Sequence, residues 1–482
     1  MRTDPSPDAS LDPSVDLHLD RGVARPIFLQ IGDRFKAAIG QGILRPGDRV
    51  PAVRALALEL HVARGTVEAA YAILVDEGYL QVRGAAGTVV SPSLPAGAVP
   101  ASVPAAPPSD MPAPDSFHAA RPLQMGLPAL DAFPRKTWAR LAAQRLRSAD
   151  QHALSYPDPH GYRLLRERIA TYLGISRGVG CVPEQVFVTS GYRASLELVL
   201  RCVAGPGERM WFEDPGYFLA ARFLREANVT NVALVPVPVD EHGIDVAAGI
   251  ALQPDARLAL VTPANQSPLG VTLSLQRRIA LLDWAARQGS WIVEDDYDSE
   301  FRYQGRPLPA LKSIDRADRV IYSGTFSKVM FPGLRLAYLV VPRSLAQRFA
   351  QVSSHMNAGP PLLYQAALAD FIGDGHFSRH LKKMRGLYAA RRALTARAME
   401  EVCGAALAID LRPGGLHMLA RLPAHADDAA VAHRARALGL GVQCMSQCYL
   451  AAPPVPGLMF GFANVGDERQ ARELALRLRA AL

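Results

Sequence analysis

A dense run of prolines between residues 92 and 116 limits how this chain of 482 residues can fold. Proline fixes φ and lacks a backbone N–H, so neither a helix nor a central strand can continue through such a segment. The run therefore predicts a semi-extended linker. Before it lie an acidic tail (residues 1–20) and a head (residues 21–91), and after it lies a body (residues 117–482). Because 482 residues are too many for one core, separate domains are expected.

The body alternates short apolar runs with longer amphipathic stretches. The apolar runs predicted as strands lie at residues 186–189, 209–212, 258–262, 291–293, 320–322 and 336–341. Strands that are apolar throughout and separated by helices indicate a mainly parallel sheet covered on both faces. The pattern changes after about residue 390, which predicts a smaller α+β lobe at the C-terminus. The predicted fold class of the body is therefore α/β.

Composition predicts a soluble, cytoplasmic protein. No apolar run approaches the roughly 20 residues of a membrane span. The tail is rich in Asp, Pro and Ser, unlike a signal peptide, and is predicted to be disordered. Five scattered cysteines indicate reduced thiols, and the pair Cys444 and Cys448 lacks a second ligand pair, so no metal site is predicted. A net charge of +8 is compatible with a polyanionic partner without requiring one.

The head shows the spacing of three helices and a hairpin. Pro26 favours a first helical turn, a second helix is predicted from about residue 52 to 60, and a third from about 63 to 77. The third helix leaves Arg64 and Gly65 facing outward near its N-terminal end. Its predicted core residues are Val67, Ala70, Tyr71 and Leu74. This is the geometry of a helix-turn-helix, whose recognition helix presents its first turn to base edges.

The end of the head predicts a wing. Residues 80–83 and 88–90 can pair as a hairpin across Gly84 and Gly87. An isolated arginine in such a domain is most simply a solvated residue, so the prediction of DNA binding depends on the whole pattern.

Two motifs in the head, GILRPGDRVPAVRALA (42–57) and RGTVEAAYAILVDEGYL (64–80), resemble the GntR-type winged helix. The resemblance covers about residues 23–91 and implies that Arg54 grips a DNA phosphate. It also implies that the turn Arg64-Gly65-Thr66 contacts bases or phosphates, and that the wing enters the minor groove near Arg83 and Gly87. The family often has Ser where this chain has Ala52 and Ala86, so two hydroxyl contacts are expected to be lost.

The body carries the groups that a pyridoxal phosphate site needs. Lys328 follows a predicted strand and a turn of small hydroxyl residues, and burial there would favour the neutral amine that a Schiff base requires. Asp295 ends another predicted strand, where parallel sheets bind ligands, and would keep a pyridine nitrogen protonated. Thr325, Ser327 and Arg335 would hold a phosphate.

Further residues extend the predicted coenzyme site. Backbone N–H groups at Gly191 and Tyr192, where a helix begins, would join the phosphate contacts. Tyr217 would stack on the ring and Tyr297 would hydrogen-bond its phenolic oxygen. Taken alone, each of these is equally a core aromatic, a helix cap or a turn residue, so the prediction rests on the set.

The motifs YPDPHG (156–161), EDPGY (213–217), TPANQSPLG (262–270), EDDYDSEF (294–301) and SGTFSK (323–328) resemble fold-type I aminotransferases over about residues 120–480. The whole chain, with head and linker, resembles the MocR subfamily of GntR regulators. The resemblance implies a head-to-tail homodimer with the coenzyme site at the interface. Tyr156 would then reach the phosphate of the partner subunit's coenzyme.

Three departures from the family's pattern affect the predicted site. The phosphate turn lacks the usual Ser, with Arg193 beside it. Ser267 stands where aminotransferases carry Asn, so the ring-oxygen contact would fall to Asn265 or Gln266, or be absent. No arginine lies near residues 458–462, where aminotransferases clamp a substrate carboxylate, unless Arg421 or His417 substitutes.

The sequence favours a transcriptional regulator that binds double-stranded DNA at paired half-sites. It would sense a small amine, or the coenzyme itself, through an internal aldimine at Lys328. One alternative is an aminotransferase with an accessory DNA-binding head; the missing clamp weighs against it, although a transaminase half-reaction remains chemically open. The other is a body that serves as a coenzyme-free dimerisation platform.

Overall fold

The computed structural model describes residues 19–84, 87–94, 120–151, 153–226, 231–305, 309–356 and 359–482. The chain divides into two compact units, Met1–Phe117 and His118–Leu482. Apart from its last two residues, the predicted tail lies outside the described residues, and so does the predicted linker beyond Leu94.

The head folds as three helices and a hairpin, as predicted. The helices are α1 (Ile27–Gly40), α2 (Val53–Glu59) and α3 (Arg64–Asp76), and the hairpin strands are β1 (Leu80–Val82) and β2 (Thr88–Val90). The strands are antiparallel, with Leu80 opposite Val90 and Val82 opposite Thr88. Gly78 adopts a φ of +80° just after α3, a conformation that suits glycine and ends the helix.

A small apolar core holds the helices of the head together. Ile31 and Phe35 of α1 pack with Leu56 of α2 and with α3. The four residues predicted to face inward from α3 are all buried. The Phe35 ring meets the Tyr71 ring edge to face at 5.5 Å, and the Tyr71 hydroxyl donates to the carbonyl of Pro51 at 2.9 Å. The buried phenol is therefore satisfied and fixes the loop that precedes α2.

The body begins with two helices and a large domain of strands and helices in alternation. Its helices up to the end of the sheet are α4 (Arg135–Arg147), α5 (Arg163–Arg177), α6 (Tyr192–Val203), α7 (Phe218–Glu226), α8 (Val246–Leu252) and α9 (Leu275–Gln288). Its strands are β3 (Val186–Thr189), β4 (Arg209–Asp214), β5 (Ala233–Asp240), β6 (Gly243–Ile244), β7 (Leu258–Val261), β8 (Trp291–Asp296), β9 (Val320–Thr325) and β10 (Ala337–Val340).

These strands form one eight-stranded sheet in the order β3-β10-β9-β8-β7-β4-β5-β6. Neighbouring strands from β9 through β8, β7 and β4 to β5 run parallel. Strand β10 is antiparallel to both of its neighbours, and β6 is antiparallel to β5. The prediction of a mainly parallel sheet is therefore confirmed, with β10 as an antiparallel insertion.

Both faces of the sheet are covered. Met210 and Phe212 of β4 pack into one apolar cluster with α6 and α7, whereas Trp211 between them packs into another with α8 and α9. On that second face the Trp211 and Trp284 rings stack at 3.8 Å. This explains why the strands read as continuously apolar rather than alternating.

The C-terminal part of the body is a small lobe (residues 404–482) that packs on the long helix α12 (His376–Cys403). Helices α10 (Ala346–Met356) and α11 (Leu362–Gly373) precede α12, and the lobe itself contains α13 (Asp428–Ala437) and α14 (Glu468–Arg479). The strands, all antiparallel and in the order β11-β12-β14-β13, are β11 (Ala408–Asp410), β12 (His417–Arg421), β13 (Gln443–Cys444) and β14 (Gly457–Gly461). The predicted α+β lobe is confirmed.

One carboxylate joins the small lobe to the large sheet. Asp214, at the end of β4, accepts hydrogen bonds from the backbone N–H groups of Leu450 at 2.8 Å, Ala451 at 3.0 Å and Ala452 at 2.8 Å. Three charge-assisted bonds to one side chain fix this corner of the lobe.

Within the described parts of the chain, every helix is too short or too polar to cross a bilayer. All five cysteines are unpaired, with Cys403, Cys444 and Cys448 buried.

Candidate functional site

A cavity of about 310 Å³ opens at the carboxyl end of the large sheet. Strands β8 and β9 end side by side there, with Asp295 opposite Ser323. The cavity is lined by Gln124, Met125, Gly126, Tyr192, Tyr217, Phe218, Leu219, Ser267, Asp295, Tyr297, Asp298, Thr325, Ser327, Lys328, Arg335, Leu416, His417 and Gln443. Eight residues predicted for the coenzyme site are therefore brought together: Tyr192, Tyr217, Asp295, Tyr297, Thr325, Ser327, Lys328 and Arg335.

Lys328 lies in the turn that follows β9 and is half-buried. Burial lowers the pKa of its ammonium, and the nearby charges of Asp298 and Asp295 act in the opposite direction. Its Nζ donates to the carbonyl of Gly126 at 3.1 Å. Burial thus increases the fraction of the amine that is neutral, which is the form that nucleophilic attack requires.

Gly126 was not predicted as part of the site. Its φ is +74°, and a Cβ added to it would collide with Lys328 Nζ. The small lobe holds the segment that carries it: Gly441 N donates to Pro122 O at 2.7 Å, and Gly461 N donates to Leu123 O at 2.9 Å. Its only signal in the sequence is a Gly-x-Pro step shortly after the proline-rich segment.

Asp295 is a buried carboxyl without a cationic partner among the described residues. Burial raises its pKa to about 7, an effect that the nearby Tyr192 hydroxyl partly offsets. That hydroxyl is itself buried and makes no hydrogen bond of normal geometry within the described part of the chain. A protonated ring nitrogen placed here would supply the positive charge that the carboxyl lacks.

Tyr297, Asn265 and Asp298 form a hydrogen-bonded group at the side of the cavity. The Tyr297 hydroxyl donates to Asn265 O at 3.0 Å, while Asn265 Nδ2 donates to Asp298 Oδ1 at 3.0 Å and to the Tyr297 oxygen at 3.2 Å. Asn265 itself does not line the cavity; it positions two residues that do. Asp298 also accepts from Leu416 N at 3.0 Å, and burial raises its pKa to about 7.

Gln266, the other residue predicted for the ring oxygen, has its amide engaged elsewhere. Its Nε2 donates to Pro215 O at 2.8 Å and to Glu213 Oε2 at 3.2 Å. Glu213 in turn accepts from the Thr262 N–H at 3.1 Å. These hydrogen bonds fix the loop after β7, and the Gln266 amide does not face the cavity.

The phosphate end of the predicted site lies where Gly191 meets Arg335. Gly191 begins α6 with a φ of +112°, and a Cβ there would come within 3.3 Å of the Arg335 guanidinium. Arg335 is exposed and makes no ion pair in the described part of the chain. Thr325 and Ser327 line the same cavity. An unpaired guanidinium beside hydroxyls and a helix N-terminus is suited to an anion.

Two tyrosines predicted for the site differ in position. Tyr217 lines the cavity, 6.1 Å from the Tyr192 ring, and burial raises its pKa to about 12. Tyr156 lies outside the cavity of its own chain and is 88% exposed.

The end of the cavity formed by the small lobe contains His417 but not Arg421. The ring Nε2 of His417 lies 3.0 Å from the Pro268 carbonyl, and burial lowers the pKa of the imidazole. Arg421, at the far end of β12, is exposed and pairs with Asp410 at 3.1 Å. Strand β14 presents buried apolar residues.

In the head, four of the six residues predicted to contact DNA are exposed: Arg54, Arg64, Gly65 and Arg83, whereas Thr66 and Gly87 are half-buried. Arg54 is exposed and makes no ion pair within the described residues. Arg64 and Gly65 are exposed in the first turn of α3 beside the half-buried Thr66, and Arg64 pairs with Glu68 at 2.7 Å. Such an exposed pair is worth only about 0.3–0.5 kcal/mol, so Arg64 is easily released to a phosphate.

In the wing, the N–H of Arg83 donates to Gly87 O at 2.8 Å, which closes the hairpin turn, and the Arg83 side chain is exposed. A second arginine beside the wing, Arg49, was not predicted from the sequence. Arg49 forms a β-bridge with Val89, and its guanidinium lies 3.1 Å from the position that a Cβ on Gly87 would take. The position of Arg49 in a loop before α2 gave no sign of contact with the wing. Ala86 lies outside the described residues.

Comparison with known proteins agrees with this division. Residues 28–90 match the model of bacterial regulatory proteins of the gntR family, and residues 127–454 match that of aminotransferase class I and II. The probable rhizopine catabolism regulatory protein MocR of Rhizobium meliloti is 38% identical over 96% of this chain and 95% of its own length. The pyridoxine biosynthesis transcriptional regulator PdxR of Corynebacterium glutamicum is 32% identical over 91% and 92%.

Among solved structures, the α-aminoadipate aminotransferase LysN of Thermus thermophilus, complexed with N-(5'-phosphopyridoxyl)-L-leucine, superposes with a TM-score of 0.67 at 27% identity. The match covers 74% of this chain and 91% of the enzyme.

Proposed function

The chain belongs to the MocR-type group of GntR-family regulators, in which a DNA-binding head precedes an aminotransferase class I and II domain, and from this premise we propose that the body senses a small amine through pyridoxal 5'-phosphate. The protein is a DNA-binding transcriptional regulator. The observation that carries the sensing proposal is the meeting of Lys328, Asp295 and Arg335 around one cavity.

The residues present fit the coenzyme. Asp295 is a buried carboxyl that lacks a cation, Tyr192 has an unbonded buried hydroxyl, and Arg335 lacks an anion. Each of these would be satisfied by a pyridinium nitrogen or a phosphate. When bound, the coenzyme supplies an aldehyde that condenses with primary amines and a ring that withdraws electrons.

Each side chain has a distinct part in this proposal. Lys328 supplies the tethering amine, which its surroundings help to keep neutral, and Asp295 holds the proton of the ring nitrogen. Tyr297, which lines the cavity, would turn its hydroxyl from the Asn265 carbonyl to the ring oxygen. Arg335, Thr325, Ser327 and the N–H groups at Gly191 and Tyr192 would hold the phosphate, with Tyr217 against the ring.

The sensing step is proposed to act through the charge of Lys328. If an effector amine took the place of Lys328, the freed Lys328 amine would hold a proton beside the carboxylates of Asp298 and Asp295, whose charges raise its pKa. Lys328 donates a hydrogen bond to Gly126 O, and Asp298 accepts one from Leu416 N. A change in the charge of Lys328 would therefore act on the segment after the linker and on the small lobe. A state-dependent contact of this kind is what an effector needs to shift a conformational equilibrium.

A homodimer is part of the same proposal. The support is Tyr156, a large aromatic that is 88% exposed and lies outside its own cavity although its motif belongs to the coenzyme site. Two heads in one dimer would favour paired half-sites on DNA. Analytical ultracentrifugation would report the assembly, and a monomer at micromolar concentration would contradict it. The cytoplasmic location stays a prediction.

The alternative of an aminotransferase with an accessory head is not favoured. MocR and PdxR, which match more than nine tenths of the chain, are regulators, whereas the match to the enzyme LysN covers 74% of it.

The proposal is tested with full-length protein, promoter DNA and a panel of amines. The coenzyme should give a visible absorbance band, and effector amines should change both the band and the footprint. Lys328→Ala should lose the band and the amine response, while Lys382→Ala, an exposed lysine, should keep both. A colourless wild-type protein, or an unchanged absorbance band in Lys328→Ala, would contradict the proposal.

A further inference from the structure

The cavity is poor in positive charge. Among the described residues that line it, the only lysine and arginine are Lys328 and Arg335. Under the proposed function both are engaged. Arg335 would hold the coenzyme phosphate, and Lys328 would be joined to the coenzyme aldehyde before the effector reacts and lie near the carboxylates of Asp298 and Asp295 afterwards. The two carboxyls, Asp295 and Asp298, remain on the same walls. The described residues that line the space left for an effector therefore offer it no free cation. The charge of Arg193 reaches Tyr217, but Arg193 is exposed and does not line the cavity.

His417 cannot take the place of a carboxylate-binding arginine. The Pro268 carbonyl can only accept, so the His417 Nε2 at 3.0 Å must carry the proton and donate to it. Burial and the charge of Lys328 both lower the pKa of the ring, so the imidazole is neutral. A neutral ring with Nε2–H engaged offers only the Nδ1 lone pair, which accepts hydrogen bonds and repels a carboxylate.

The nearby arginines of the small lobe are also engaged. Arg412 pairs with Asp410 at 2.7 Å and Arg421 pairs with the same carboxyl at 3.1 Å. Neither lines the cavity. Both belong to an ion cluster around Asp410.

The remaining lining is neutral and mixed. Gln124 and Gln443 offer amides and Ser267 a hydroxyl, and the Gln443 amide makes no hydrogen bond within the described residues. The apolar part of the lining consists of Met125, Phe218, Leu219 and Leu416. Such a surface suits a ligand with hydroxyl or other uncharged polar groups next to carbon.

We infer that the effector is a primary amine without a carboxylate, carrying hydroxyl or other neutral polar groups. A carboxylate in this space would be desolvated beside Asp298 with no cation to balance it, which opposes binding. The amine group is needed to react with the coenzyme aldehyde. This inference rests on the proposed function and specifies its ligand.

The test compares amines that differ only in the carboxylate. Full-length protein loaded with pyridoxal phosphate is titrated with ethanolamine and with serine, and with 1-amino-2-propanol and threonine, following the visible band. The carboxylate-free member of each pair should bind at least about tenfold more tightly, because a carboxylate would lose its hydration beside Asp298 without gaining a cationic partner.

A variant that adds the missing cation sharpens the test. Gln443→Arg places a guanidinium on the cavity wall and should reduce the preference for ethanolamine over serine by about tenfold or reverse it. The matched control Gln443→Met keeps the length of the side chain without adding charge. Loss of the amide should weaken ethanolamine and serine alike, so the ratio of the two affinities should stay as in the wild type.

The outcomes separate the two proposals. If the loaded protein forms its band but serine binds as tightly as ethanolamine, or no amine of either kind changes the band, the inference on the ligand is wrong and the coenzyme site stands. If no band forms, the proposed function itself fails. A preference for serine would also reveal a carboxylate clamp supplied by a partner subunit and would overturn the inference.

Discussion

Lys328 Nζ and the carbonyl oxygen of Gly126 lie 3.1 Å apart although 202 residues separate them in the chain. Gly126 ends a short segment, residues 122–126, that is bonded to the small lobe at Pro122 and Leu123. This segment is also where the body resumes after the proline-rich region. A single amine is therefore hydrogen-bonded to the part of the body that is nearest in sequence to the linker.

The first prediction concerns Gly126→Ala. The new methyl group would meet Lys328 Nζ, and a φ of +74° would strain the alanine backbone by about 1–2 kcal/mol. Because Nζ is the end of a flexible side chain, Lys328 should move and the fold should survive. Capture of the coenzyme, measured by the visible band, should weaken about tenfold. Gly180→Ala is the control, since nothing lies within 4 Å of its added Cβ; equal losses in both variants would contradict the argument.

The second prediction concerns pH and Asp295. Its carboxyl has a folded-state pKa of about 7, raised above the ordinary value of 3.8, so the folded protein binds the proton more tightly than the unfolded one. Stability of the coenzyme-free protein should thus be highest below pH 4 for this group and be lost as pH rises towards 7. The loss is at most about 1.4 kcal/mol per pH unit.

Asp295→Asn removes this contribution. In urea titrations at pH 5 and pH 7.5, wild type should lose stability relative to the variant as pH rises. Asp298 and Glu213, whose pKa values are also raised to about 7, remain in both proteins, so the difference reports Asp295 together with its coupling to these two carboxyls. A constant difference across this range would show that Asp295 is already ionised.

The third prediction concerns Asp298→Asn. The negative charge of Asp298 raises the pKa of Lys328, so its removal should lower that pKa further. The rate of coenzyme capture, which requires the neutral amine, should then reach its plateau at lower pH. Asp410→Asn removes a carboxyl outside the cavity and should leave the profile unchanged. An unshifted profile in Asp298→Asn would mean that Asp298 does not influence the amine.

The fourth prediction concerns the head. Arg54 is exposed and free of ion pairs within the described residues, and as a phosphate contact it should act on every DNA sequence alike. Arg54→Ala should weaken specific and non-specific binding together and reduce the slope of log affinity against log salt by about 1. The control is Arg25→Ala, an exposed arginine paired with Asp33 at 2.6 Å. Loss of specificity without a change in slope would instead indicate a base contact.

Sequence patterns predicted the parts of the fold that depend on local chemistry. The strands that carry Asp295 and Lys328 are apolar runs between helices, and parallel strands bring their carboxyl ends to one edge. Their meeting at the cavity therefore followed from the pattern. The helix-turn-helix was equally readable, because its core positions recur at helical spacing.

Other parts depend on long-range contacts that leave little trace in the sequence. Strand β5 was not predicted because Pro236 and Pro238 read as breakers. The N–H of Ala233 points towards β4, so the backbone of Pro236 and Pro238, an odd number of residues further on, faces the opposite edge of β5. On that edge β6 pairs with Val239 and Asp240, so the absent N–H groups of the two prolines break no ladder hydrogen bond. Gly126 was not predicted, and the role of His417 was left open. The positions of both residues in the cavity depend on the packing of the small lobe.

The three amides gathered on Asp214 give the small lobe a pivot. Residues 450–452 are held at the end of β4, so a rotation of the lobe on effector binding would turn about this corner rather than slide along the sheet. Distances between paired spin labels should then change less near residue 450 than on the opposite side of the lobe when the effector is added.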